Sequence, residues 1–309
     1  MQYRIFGRTG WRVSAIGLGC WQLGGQFGEV SEADGIATVH AAIEAGINLF
    51  DSADAYGPRR SEEILGKALA GGRRPHVFVA TKVGNLGRPD GHPLSFTTPE
   101  HIYACCDASL HRLQTDYIDL YQCHIREHPR HDVFLEAFER LVEAGKIRAY
   151  GTSSFFPSEI EFFDSHGRCH VAQIPYSVLE RTYETDALPL CQERNIGVLV
   201  RGPLAQGVLA GKFAADHRFT DPTRTGWNTG DAQQRFQERR AAAEALRPMS
   251  GEGRSMAQIA LAFAIAHPAN TCAIPGARSP EQVRANAAAA DLALTDDELA
   301  TLRAIAPPA

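Results

Sequence analysis

Gly19-Cys-Trp-Gln-Leu-Gly24 is the stretch on which the fold turns. It closes an apolar run, residues 13–20, and leads into a helical period, so it is the first strand-to-helix turn of the chain. A doubly wound dinucleotide-binding sheet would place G-x-G-x-x-G here, with glycines that let the backbone approach a pyrophosphate. This turn lacks that fingerprint. Seven further apolar runs follow, at residues 47–51, 77–82, 117–124, 147–153, 171–174, 197–201 and 271–275. Most are near-continuously apolar rather than alternating, as strands buried on both faces should be.

Helical periods fall between the runs. Ser31-Glu-Ala-Asp34 reads as a capping box, with Ile36, Val39 and Ile43 on one face and Gly46 as the stop. Thr98-Pro99 opens a helix carrying Ile102, Cys106, Ser109 and Leu113, and a wide apolar stripe from Val133 to Val142 ends at Gly145. Ser279 caps a late helix with Pro280 at its first position, and Asp296-Asp-Glu298 after Thr295 starts another. Eight strands alternating with helices fit an open sheet or a closed barrel. The missing fingerprint and the strand count favour an α/β (β/α)8 TIM barrel, occupying residues 1–309 as a single domain. Residues 3–11, with the turn signal Arg8-Thr-Gly10, are expected to form a short N-terminal β-hairpin closing the bottom. The interval from Arg201 to Pro275 is more than twice that from Asp51 to Lys82. The helix expected at 256–266 fills only part of it, so residues 211–252 read as a long loop over the active face.

Composition narrows the function. The net charge of -5, with basic residues scattered, argues against a nucleic-acid partner. Seven cysteines without a C-x-x-C pair read as reduced thiols, and no apolar run is long enough to span a membrane. The first residues lack the layout of a signal peptide, so a cytoplasmic protein is expected. No His spacing suits a metal, and His92, His101, His111, His128 and His131 read as surface residues. Nothing in the sequence fixes an oligomeric state.

Asp51, Lys82 and His124 each end an expected strand, and Tyr56 lies in the loop after the second. In a barrel these four share one mouth. Their chemistry suits proton transfer to a carbonyl oxygen. A free tyrosine, with a pKa of about 10, is a poor acid near neutrality. An adjacent lysine ammonium favours phenolate and should pull that value down, while Asp51 holds the lysine and His124 orients the carbonyl. Singly, an Asp, Lys or Tyr at a strand end is most often a solvated loop residue. The set taken together carries the reading.

At these residues the sequence resembles the aldo-keto reductase family, in Phe50-Asp-Ser-Ala-Asp-Ala-Tyr-Gly57, Ala80-Thr-Lys82 and Tyr117-Ile-Asp-Leu-Tyr-Gln-Cys-His124. The similarity runs from Gly17-Leu-Gly-Cys-Trp21 to Ile274-Pro-Gly-Ala-Arg-Ser-Pro-Glu-Gln282. The resemblance implies hydride transfer between a nicotinamide cofactor and a small carbonyl or sugar substrate, with Tyr56 as proton donor and no metal. It implies cofactor contacts at Gly19, Cys20 and Asp51, and at Ser153, Ser154 and Gln173 for the carboxamide. It further implies Arg201 against the nicotinamide, Gly202, Pro203, Leu204, Gln206, Gly207 and Lys212 for the pyrophosphate, and Gly276, Arg278, Gln282 and Asn286 for the adenosine end. Trp21, with Tyr56 and His124, matches the substrate pocket, while Phe27, Phe155 and Trp227 are weaker pocket candidates. Cys20 is expected to pack without reacting.

Three departures from the family pattern stand out. Ser154 replaces a frequent Asn, and Arg201 replaces a frequent aromatic ring, its charge disfavouring oxidised nicotinamide. Gly276, Ala277 and Ala285 replace residues that often hold the adenosine end. Arg278 still offers a partner to a 2′-phosphate, which favours NADP(H) while leaving NAD(H) possible. Competing readings are an oxidative sugar or cyclitol dehydrogenase, a cofactor-sensing regulatory subunit, and a metallohydrolase. The intact tetrad and the absence of metal-ligand spacing weigh against the last two.

Overall fold

The computed structural model of the protein describes residues 1–86, 96–251 and 253–306. Strand β1 (Tyr3–Ile5) pairs antiparallel with β2 (Arg12–Ser14). Then come β3 (Leu18–Gly19), helix α1 (Glu32–Glu44), β4 (Leu49–Asp51), α2 (Arg60–Leu69), β5 (Phe78–Val83) and α3 (Pro99–Leu113). The pattern continues with β6 (Ile118–Cys123), α4 (His131–Glu143), β7 (Ile147–Thr152), α5 (Pro157–Phe163), β8 (Val171–Pro175), α6 (Ala187–Glu193) and β9 (Gly197–Arg201). Helices α7 (Gly230–Ala243) and α8 (Met256–Ala266) precede β10 (Cys272–Ala273), α9 (Pro280–Ala288) and α10 (Asp296–Ile305).

The eight strands β3 to β10 pair in sequential order, each parallel to the next. The ring closes where Ile16 and Gly19 bridge in parallel to Ala273 and Gly276, with the Gly17 N–H donating to the Ala273 carbonyl at 2.8 Å. This is the (β/α)8 barrel. Its helix ends follow local chemistry. The Ser31 and Ser279 hydroxyls accept from the backbone N–H of Asp34 and Gln282, and Thr295 with Glu298 completes a reciprocal capping box. Among the described residues, no helix is long and apolar enough to cross a membrane.

Three expectations are corrected. The run at 13–20 is two elements, because Val13 and Ser14 belong to the hairpin and the barrel strand is Leu18–Gly19, preceded by the Ile16 bridge. The hairpin therefore extends past Trp11, whose carbonyl accepts from the Phe6 N–H to close the turn. The stretch 211–252 is no open loop: it contains α7 and two short 3-10 turns, Thr225–Asn228 and Glu244–Met249. Phe236 and Ala243 alone are buried on α7, so the helix had no apolar stripe to read. Phe236 packs on Phe219 and Trp227, ring centroids 5.0 and 5.9 Å away, which makes Trp227 a packing residue of this insertion. Finally, His131 is buried against Phe163, with its ring nitrogen 3.1 Å from the Ile125 carbonyl, whereas His101 and His111 are exposed. His92 and Glu252 lie outside the described residues.

Apolar side chains divide into two cores. One lies between barrel and helices. The other fills the lower barrel, where Phe6 and Val13 meet Leu49, Ala80, Leu120, Ala149, Val171 and Leu199. Phe6 is fully buried and serves as the plug that ties the hairpin to the barrel floor. Phe6→Ala should cost about 3–5 kcal/mol, the range for deleting a buried aromatic. Urea unfolding followed by tryptophan fluorescence measures it, and a loss below 1 kcal/mol would show that the hairpin contributes little.

Candidate active site

Strand alternation turns the lower core into the floor of the site. Two residues beyond Leu49, Ala80, Leu120, Val171 and Leu199 stand Asp51, Lys82, Gln122, Gln173 and Arg201, on the same face and one layer nearer the strands' C-terminal ends. The Lys82 ammonium, fully buried, has three N–H donors. They find Asp51 Oδ2 at 2.6 Å, the Ser52 carbonyl at 2.7 Å and the Tyr56 hydroxyl at 3.0 Å. Asp51 Oδ1 accepts from Gln173 Nε2 at 2.9 Å and Gln122 Nε2 at 3.3 Å. Burial works against the lysine charge, but Asp51 and Tyr56 outweigh it and hold the Lys82 pKa above the ordinary lysine value.

Tyr56 is carried by a loop fixed by close backbone approach. Gly57 has φ +63°, and a Cβ there would lie 2.1 Å from the Gly24 carbonyl oxygen. Trp21 stacks on Tyr56 with centroids 5.8 Å apart, and His124 meets its ring edge-on at 6.0 Å. The expected acidification of Tyr56 is corrected. Desolvation raises its pKa, and Lys82, which lowers it, does not fully compensate. The phenol is therefore protonated at neutral pH. Because Lys82 donates to the phenol oxygen, the O–H proton is not used in that bond. His124 falls well below the usual imidazole range, through burial first and then Lys82, Arg201 and Arg126, so its ring is neutral. Its Nδ1 is buried without a partner among the described residues.

A cavity of about 1080 Å³ opens above this floor. Asp51, Tyr56, His124 and Trp21 line it, together with Gly19, Ser153, Gln173 and Arg201. Its walls continue through Gly202, Pro203, Leu204, Gln206, Gly207 and Lys212 to Gly276, Arg278, Gln282 and Asn286. Lys82 reaches it through Tyr56. Two expected contacts are corrected. Cys20 is fully buried with its thiol toward the Leu18 carbonyl, and burial pushes that thiol far up. Ser154 is fully buried, and its hydroxyl accepts from the Phe156 N–H at 3.2 Å. Neither side chain lines the cavity. Phe27 does, edge-on to Trp21, whereas Phe155 lies behind Arg201.

The far part of the cavity suits an anionic, extended ligand. Lys212, Arg224 and Arg278 line it; Arg224 is paired with Asp221 at 2.9 Å, and Arg278 reaches across to donate to the Phe27 carbonyl at 2.9 Å. The loop beneath combines positive φ at Gly202, Ala205, Gln206 and Gly207, and within it the Ala205 and Gly207 N–H groups donate to the Gly202 and Leu204 carbonyls at 2.8 and 2.9 Å. At Gly276 an added Cβ would sit 1.8 Å from Gln22 Oε1, so the glycine leaves room for that amide on the wall. Reading by sequence missed Gln22, Gln122, Arg126 and Arg224. Gln122 sits two residues before His124 on an inward position, which alternation alone could have flagged. Among the described residues, no group of three or more His, Cys, Asp or Glu side chains gathers as a metal site.

A barrel with this tetrad at its mouth defines an oxidoreductase of the aldo-keto type. The Aldo/keto reductase family profile matches residues 15–307, and the chain belongs to that family. It is 35% identical over 291 residues to the aldo-keto reductase YhdN of Bacillus subtilis (strain 168), covering 92% of this chain and 87% of that protein. Among solved structures, it resembles aldo-keto reductase AKR11C1 from Bacillus halodurans, with 32% identity, a TM-score of 0.83, and coverage of 100% and 97%. It also resembles an aldo-keto reductase from Klebsiella pneumoniae in complex with NADPH, with 30% identity, a TM-score of 0.75, and coverage of 100% and 96%.

Asp54, inside the quoted motif, drew no role from the sequence. Its carboxylate is buried, and both oxygens lack partners among the described residues. Burial and then Glu62 push its pKa up to about 7, against the opposing pull of Arg112 and Lys82. Between the unfolded value near 4 and that raised value, the folded state holds a proton the unfolded chain has lost. Stability therefore falls as pH rises through this window. Asp54→Asn should gain about 1–4 kcal/mol relative to the parent between pH 4 and pH 8. Urea midpoints at the two pH values test this, and a gain independent of pH would refute it.

Proposed function

We propose that the protein is an NADP(H)-dependent reductase of aldehyde, ketone or sugar carbonyls, with Tyr56 as proton donor. The observation that carries this is the Lys82 ammonium, which donates to the Tyr56 oxygen and leaves the phenol proton free for a carbonyl above it. When bound, the reduced nicotinamide supplies the hydride. Tyr56 gives its proton to the carbonyl oxygen, and Lys82 steadies the phenolate left behind. Asp51 keeps the ammonium aimed, and neutral His124 orients the carbonyl through an N–H donor. Ser153 and Gln173 would meet the carboxamide, although the Gln173 N–H is already given to Asp51. Gly202 through Gly207 with Lys212 would hold the pyrophosphate. Gly276 and Arg278, just before α9, with Gln282 and Asn286 on it, would hold the adenosine end.

The phosphate chemistry of the far cavity and the NADPH bound to the Klebsiella relative both favour NADP(H). Arg201, close enough to Tyr56 to bias its titration, disfavours a cationic nicotinamide and so favours reduction over the oxidative reading. Seven free thiols, six of them buried, support a cytoplasmic protein, and the single ring of eight strands supports one barrel domain.

Tyr56→Phe should lower turnover by roughly 100- to 10,000-fold while NADPH binding, followed by fluorescence, stays intact. Undiminished consumption of NADPH by this variant would overturn the proton-donor assignment. NADPH should bind more tightly than NADH by about tenfold or more, and Arg278→Gln should narrow that gap. Equal dissociation constants for the two cofactors would remove the proposed role of Arg278.

A further inference from the structure

Arg126 and Arg201 both face the Phe155 ring, their guanidinium carbons 4.9 and 5.6 Å from its centroid, and both line the cavity that Tyr56 and His124 enter. Among the described residues, neither guanidinium has a hydrogen-bond acceptor or a carboxylate within salt-bridge distance. Arg201 is half-buried, and burial and then Arg126 hold its pKa below the usual value. The carboxylate that acts on it is Glu180, which accepts from the Thr182 hydroxyl at 2.8 Å. Glu127 also lines the cavity, but it is exposed and makes no ion pair with either arginine.

Two like charges on the wall of one cavity, one of them partly withdrawn from water, repel each other, and an anion bound near both relieves that repulsion. Cofactor phosphates have other candidate partners in Lys212, Arg278 and the loop after β9, while Arg224 is already paired with Asp221 at 2.9 Å. Arg126 and Arg201 instead act on His124, at the end where the carbonyl must sit.

We propose that Arg126 and Arg201 form an anion subsite, and that the substrate is a carbonyl compound bearing an acidic group a few bonds from the reacting carbon. This rests on the reductase reading above. The test is steady-state reduction, with NADPH, of 4-carboxybenzaldehyde against its neutral methyl ester. The acid should win in kcat/KM by at least about tenfold, the scale of one hydrogen bond to a charged group. Added salt should shrink the preference. Arg126→Gln and Arg201→Gln should each pull the ratio toward one, chiefly through KM of the acid, while Arg126→Lys keeps part of it. An ester used as well as the acid, or a ratio unmoved in both Gln variants, sinks the anion subsite and leaves the reductase reading standing. Failure to oxidise NADPH with either compound counts against the reductase reading itself, and the subsite falls with it.

Discussion

A lysine ammonium sealed inside the barrel is tolerable only if each of its protons has an acceptor. That requirement organises the site. Lys82 has a carboxylate oxygen, a backbone carbonyl and a phenol oxygen around it. Each comes from a different place: the end of β4, the residue after it, and the loop beyond. Asp51 can serve only because Gln122 and Gln173 occupy its other oxygen, so the polar layer spans β4, β5, β6 and β8. Loss of one member would leave another buried and unpaired, which is why the group is a unit rather than a set of neighbours.

The same charge shapes the protonation states. Burial pushes Tyr56 up and His124 down, so both are neutral where the lysine is not. A neutral phenol next to a fixed cation is poised to lose a proton when negative charge develops on a nearby oxygen. It does not have to lose one beforehand. The expectation of an already acidic phenol counted the cation and overlooked desolvation, the larger effect in this cavity.

Much of this was legible in the sequence because strands buried on both faces appear as apolar runs, and polar residues at their C-terminal ends then stand out. Asp51, Lys82 and His124 were found that way. Tyr56 needed the loop, and its loop needed Gly57 against Gly24, a contact between segments that no local pattern announces. Helix α7 stayed hidden because its polar surface buries little more than Phe236. Cys20 and Ser154 were misplaced for a geometric reason. Adjacent residues at a strand end point to opposite faces, so Gly19 and Ser153 border the cavity while their neighbours turn into the wall. The Arg126–Arg201 pair escaped for want of sequence proximity, since Arg126 follows β6 and Arg201 ends β9.

Alternation also explains why stability and chemistry separate so cleanly here. On one inward face, Leu49 and Asp51, Ala80 and Lys82, or Leu120 and Gln122 differ by a single layer, apolar below and polar above. The lower layer, plugged by Phe6, gives the rigid ring that fixes strand spacing. The upper layer spends that rigidity on holding Lys82 within hydrogen-bond reach of Tyr56. A flexible mouth could not keep three acceptors on one ammonium, and an apolar upper layer would have nothing to hold. The tetrad therefore depends on the barrel being closed, and the cavity walls are free to differ in the loops above.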